Sequence, residues 1–272
     1  MKLSIKVINL LLAVSGVWGI TGARADFGET PVWRALMLVY EDTDADYEVD
    51  STTYHYTGSM SIANRDAAVW AFYQYISLAN ELSDGQCNVI GDVVYVPHPL
   101  TTVTNRGNDT YWVSPGCVES DLNTYAPRGS YDSICLNWHY GDIPISALGL
   151  AYTSPAESAN GATWATVIEW NGWYNEGKDG EAWLHEWGHG MSGHMRNMGH
   201  RMPVQDMDGK EYHGYPGQNW EYYYDLMTDQ VWEDEPEPAQ YTGVPVLGWQ
   251  QGGPHNHRGL IQGDWFYTDT LA

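Results

Sequence analysis

His185-Glu186-Trp187-Gly188-His189 sets two imidazoles four residues apart, with a carboxylate beside the first. On an α-helix, residues at that spacing sit one turn apart on the same face. Two neutral imidazole nitrogens so placed can grip one Zn²⁺ ion, and the adjacent Glu can take a proton from a water in the same cleft. The chemistry implied is metal-assisted hydrolysis. The plain alternative is a surface helix carrying two solvated histidines. The choice rests on whether these residues form a helix and which face it buries.

The surroundings predict such a helix. Asp179 suits the N-cap, and Gly180 and Glu181 suit the first turn. Leu184, Trp187 and Met191 recur at helical spacing and make a stripe to bury, with His185 and His189 on the neighbouring stripe. Gly190 and Gly193 follow, and glycines there should end or bend the helix.

The elements before it must build the scaffold. Arg34 to Tyr40 is a buried strand by its apolar run. Ile62 to Leu82 has helical periodicity, through Val69, Phe72, Tyr73, Ile76 and Ala79. Asn88 to Val96, Tyr131 to Trp138, Leu148 to Tyr152 and Ala162 to Trp170 are strand-like, whereas Arg106 to Arg128 has the Gly, Pro, Asn and Ser content of a long loop. This order predicts an α/β (α+β) lobe with a mixed twisted sheet and the histidine helix at its end. A loop-rich C-terminal part follows, with a short aromatic helix over Trp220 to Gln230, a break at Glu233 to Pro238 and a Gly/Pro-rich tail that wraps the surface.

Residues 1–25 have the form of a leader: Lys2 and Lys6, an apolar stretch from Val7 to Ile20, and Ala23-Arg24-Ala25 as a small-x-small cleavage site. The expected organisation is 1–25 signal peptide, 26–195 sheet lobe with the active-site helix, and 196–272 a C-terminal subdomain that completes the metal site. The apolar stretch is short for a membrane span, so the expected product is secreted, extracellular or periplasmic, and not membrane-bound. The formal charge is −23, and loss of a leader with three bases and no acid makes it more negative. Such a surface repels nucleic acid and anionic lipid. Of the three cysteines, Cys87, Cys117 and Cys135, one pair could be oxidised outside the cell, with Cys117–Cys135 closing the shorter loop and the pairing left open. Cys135 equally fits a buried thiol. The six acids in Glu41 to Asp50 could hold Ca²⁺ through their oxygens, although such a run is usually a solvated loop. The 14 Trp and 20 Tyr favour core and core margins over a sugar-stacking face.

A sheet lobe followed by an H-E-x-x-H helix resembles the zincin metallopeptidases. The stretches WLHEWGHG (183–190), DGKEYHGY (208–215), YYYDLMTDQV (222–231) and GWQQGGP (248–254) are similar to a group of exported bacterial zincin-like proteins. Only H-E-x-x-H among them is a specific motif. The resemblance implies Zn²⁺ on His185 and His189, Glu186 as general base, and a third protein ligand. The metzincin extension is absent, because Ser192 and Met195 stand where Gly and His are needed. His194 lies about 180° around an unbroken helix from His185, and His200 too far along the axis. A gluzincin-like site would draw the third ligand from the later helix. Asp225, among apolar neighbours, ranks first, His213 next, then Glu221, Glu211 and His194. Tyr223, Tyr224 or His213 would stabilise the oxyanion. Asp206-Met207-Asp208-Gly209 reads as a turn, and His255 and His257 as solvated. The expected substrate is a protein, peptide or glycoprotein. The alternatives are a zinc hydrolase of a non-peptide amide and a carbohydrate-binding protein with a vestigial metal site.

Overall fold

Val32–Tyr40 (β1) buries nearly every side chain, as a strand covered on both faces must. The computed structural model describes residues 31–169, 180–215, 220–234 and 238–257. The leader, Trp170 and the expected capping residue Asp179 lie outside them. After β1 come a hairpin, Asp42–Val49 (β2) and Thr52–Ser59 (β3), helix Ile62–Leu82 (α1) and strand Asn88–Tyr95 (β4). Next are Thr104–Gly107 (β5), Thr110–Trp112 (β6), Glu119–Tyr125 (α2), Ser133–Trp138 (β7), Gly149–Ala151 (β8) and Thr163–Ile168 (β9). Glu181–Asn197 (α3), Trp220–Met227 (α4), Val231–Glu233 (β10), Gln240–Thr242 (β11) and Val246–Gln251 (α5) complete the set.

The main sheet runs β4-β1-β7-β9-β8. Its first four strands are mutually parallel, and β8 is antiparallel to β9 at the edge. This is the mixed α/β architecture the pattern predicts. Alternate residues divide between the faces. Trp33, Ala35, Met37 and Val39 join Cys135 and Val167 in a cluster with α1 and α3. Leu36, Leu38 and Tyr40 join Ile134, Leu136, Trp138, Trp164 and Ile168 in the other. Trp33, Trp138, Trp164, Trp183 and Trp187 are all fully buried and anchor the core, whereas Trp70, Trp220, Trp232 and several Tyr are exposed.

Several expectations are corrected. The acidic run is a strand of a hairpin, not a loop, and Asp42, Asp44 and Asp46 alternate along one exposed face opposite Ser59, Thr57 and His55. Alternation spreads these carboxylates along a line, where a Ca²⁺ site needs them to converge. The stretch 106–128 folds into the β5–β6 hairpin and α2, because Tyr111, Val113, Val118 and Leu122 cover the second sheet face. α3 runs unbroken through Gly190 and Gly193. A Cβ on Gly193 would stand 1.6 Å from Thr153 O and one on Gly190 2.6 Å from Thr163 Cβ. Those glycines serve close packing against the sheet, not termination. None of the cysteines is in a disulfide. Cys87 and Cys135 are buried thiols, and burial raises the pKa of both.

The C-terminal residues pack into the same core as the sheet lobe. Met202, Met207, Tyr222, Leu226 and Trp249 belong to the cluster containing Trp33 and Trp183. His257 is buried, not solvated, and its backbone pairs with Val32. Asp132 fastens this tail. Its Oδ1 accepts from His255 N and its Oδ2 from Arg34 N, both at 2.8 Å, and His257 Nε2 lies 3.4 Å from Oδ2. Burial pushes the Asp132 carboxyl up to about 7, against the pull of the two backbone donors. For an acid with its pKa raised by folding, the associated stability is complete below about 4 and is lost as pH rises through about 7. Asp132→Asn should therefore flatten the loss of melting temperature between pH 5 and pH 8. It should also cost roughly 1–3 kcal/mol at pH 5, since an amide offers one acceptor for two buried N–H groups. Thermal melts at both pH values check this, and an unchanged slope sinks it.

Candidate metal centre

α3 buries Leu184, Trp187 and Met191, as its spacing predicts, and opens at Gly180 with φ 89°. The adjacent stripe leaves His185 partly exposed and His189 nearly buried, with ring centroids 5.0 Å apart and planes at 85°. Between them Gly188 leaves room for a neighbour: a Cβ there would lie 2.3 Å from Met207 Cε. Met207 begins a 3₁₀ helix, Met207–His213, capped by Asp206, whose side chain accepts from Asp208 N. With Met207 seated on Gly188, Asp206 and Asp208 fall on either side of it, against the two histidines.

The contacts follow. His185 Nε2 is 3.1 Å from Asp208 Oδ1, and His189 Nε2 is 3.9 Å from Asp208 Oδ2. His185 Nδ1 meets Tyr223 Oη at 3.2 Å, and His189 Nδ1 meets Asp206 Oδ2 at 3.0 Å. With Nδ1 protonated, each ring donates to its outer oxygen, and both Nε2 lone pairs face the Asp208 carboxylate. Three electron-rich groups so arranged need a proton or a cation among them. His185, His189 and Asp208 each offer an atom within 4.8 Å of the others, and among the described residues they are the group able to hold a metal ion. Zinc ligands lie about 3.3 Å apart in a tetrahedron, so small side-chain rotations would suffice. Asp206 behind His189 is the carboxylate that commonly orients a ligating imidazole. The donor set fits zinc.

The electrostatics agree. Burial pulls the His189 pKa down, but the Asp206 hydrogen bond and the charges of Glu186, Asp206 and Asp208 together carry it above the usual value. Where no cation lies between them and the rings carry the bridging protons, the hydrogen bonds from His189 to Asp206 and from His185 to Asp208 hold both carboxyls below the usual value. Glu186 packs under β8, where a Cβ on Gly149 would lie 2.3 Å from its Oε1. Burial pushes its carboxyl up to about 8, with His189 and Arg106 pulling the other way. A cation on the neighbouring imidazoles would lower it further.

The carboxylate that the fold brings to the two histidines is Asp208, and not the expected Asp225. Tyr223 of α4 turns toward His185, and Asp225, two residues on, lies about 200° around that helix. Asp225 accepts a hydrogen bond from Tyr215 instead. His213 stacks on Tyr222 and sits 3.9 Å from Glu233 Oε1. His194 meets Gly252 O and the Trp33 ring, and burial lowers its pKa to about 4. His200 meets Gln251. Tyr224 donates to Asp84, and Glu211 and Glu221 are exposed. Asp206-Met207-Asp208-Gly209, expected as a turn, is instead the capped start of the 3₁₀ helix, and it delivers Asp206 and Asp208 to the histidines. The one signal for this was two acids flanking an apolar Met, which no ligand motif distinguishes.

No helix among the described residues is long and apolar enough to cross a membrane. Compared with models of known families and with curated proteins, the chain matches none.

Proposed function

We propose that this protein is a zinc-dependent hydrolase of peptide bonds, exported after loss of residues 1–25, with His185, His189 and Asp208 as ligands and Glu186 as general base. The observation that carries the proposal is the convergence of two imidazole Nε2 atoms and a carboxylate beside a buried glutamate. When bound there, zinc would supply Lewis acidity and lower the pKa of a water toward ~7. Glu186 takes the water's proton and delivers it to the leaving amine. Burial suits it to both tasks, because a base with a pKa near the working pH can accept and return a proton. Asp206 and Tyr223 hold the imidazoles in one tautomer.

The sheet edge favours a peptide over other amides. Leu148 O accepts from Ile168 N, and Tyr152 N donates to Trp164 O. By antiparallel alternation, Gly149 and Ala151 then direct N–H and C=O away from β9. Among the described residues no strand pairs with that edge, so an extended chain can add to it where it runs past Glu186.

Chelation should abolish cleavage of a peptide digest read by mass spectrometry, and one equivalent of zinc should restore it. Cleavage that persists in metal-free protein, or an inactive protein with zinc fully bound, would overturn the proposal.

A further inference from the structure

We propose that Arg106 is a specificity residue that binds a carboxylate of the substrate on the β8 side of the cleft. The inference rests on the peptidase reading and names what that site selects.

The β5–β6 hairpin stands beside β8. Tyr111 N donates to Pro144 O at 2.8 Å, and Trp112 meets Tyr152 edge-on at 5.5 Å, so the hairpin is held near both ends of the edge strand. Within it, Asn105 pairs with Tyr111 and Gly107 with Thr110, leaving Arg106 as the extra residue of a bulge. Gly107 takes the positive φ of 104° that follows. A bulge turns a side chain out of its ladder and re-aims it. Here Arg106 lies over the Trp112 ring, 6.0 Å from its centroid, and donates from Nη1 to Ser146 Oγ at 3.0 Å. Ser146 is three residues before Gly149, which packs on Glu186, so the two are at most ~10 Å apart along the chain.

The guanidinium is thus held on two sides, and among the described residues its other donors have no hydrogen-bond partner. Arg34, Arg65 and Arg128 each lie against a carboxylate, but among the described residues Arg106 has none within ion-pair distance. A planar fork with free N–H groups matches a carboxylate. A peptide extended on β8 would bring such a group to it about three residues from the bond that Glu186 addresses. The source is an acidic side chain or a chain-terminal carboxylate, which present the same chemistry.

The test uses zinc-loaded Glu186→Gln protein, which binds without turning over, and fluorescence anisotropy at physiological salt. The probes are decapeptides in which one Glu is scanned along the chain and replaced by Gln, with free or amidated C-termini. The expected result is a preference of about tenfold or more for the carboxylate at one place. The preference should fall to near one in Arg106→Gln and persist in part in Arg106→Lys. Dependence on the internal Glu assigns the side chain, and dependence on the free terminus assigns the chain end. No carboxylate preference, a preference that Arg106→Gln leaves intact, or no binding of any peptide overturns the proposal. Failure of the wild type to cleave would overturn the peptidase reading instead, since the binding ratio is measured in protein that does not turn over.

Discussion

Glu186→Gln is expected to lower kcat by about 10³-fold while zinc stoichiometry stays unchanged, because general-base catalysis contributes on the order of 10²–10⁴. The amide keeps the shape that packs against Gly149 and removes only the proton-accepting oxygen. Burial that raises the carboxyl pKa also makes an uncharged amide easy to accommodate, so folding should not suffer. The pH profile carries a second signature. In the parent, kcat/KM should fall on the acid side as Glu186 becomes protonated, and that limb should be absent from residual activity of the variant. Steady-state kinetics with metal analysis of the same samples decides the matter. A variant that turns over at the parental rate would remove Glu186 from the chemistry.

The second large effect concerns the third ligand. Asp208→Asn should weaken zinc binding by well over about 100-fold, since even outer-sphere partners of a ligand are worth roughly 10–100-fold. Asp206→Asn should fall in that lower range, because its contact is to His189 Nδ1 and not to the ion. Asp225→Asn should leave affinity near the parental value, since its partner is Tyr215. Competition with a chromophoric chelator would rank the three. Loss of zinc from Asp225→Asn with retention in Asp208→Asn would mean that the site is built from a different carboxylate.

The two histidines and Glu186 were legible because a helix is local. Residues 185 and 189 share a face whatever surrounds them, and the stripe of Leu184, Trp187 and Met191 indicates which face goes inward. The central strand β1 was legible for a similar reason: burial on both sides demands a near-continuous apolar run. The β2–β3 hairpin was not, because its acids hid a two-residue alternation that pairing with β3 makes plain. Gly190 and Gly193 misled in the same way. A glycine that ends a helix and one that lets a helix touch a sheet look alike until the sheet is in place.

The third carboxylate shows where local information runs out. Asp206 and Asp208 are 17 and 23 residues from the histidines they meet, and nothing in their own neighbourhood encodes that meeting. Sequence alone determined a pair of imidazoles with an adjacent carboxylate on one helix, on an α/β scaffold, because spacing along a helix converts directly into distance. Only the tertiary structure decided which acid faces them. That choice depends on Met207 filling the space over Gly188 and on α4 rotating Asp225 away, which are facts of packing between segments distant in the chain.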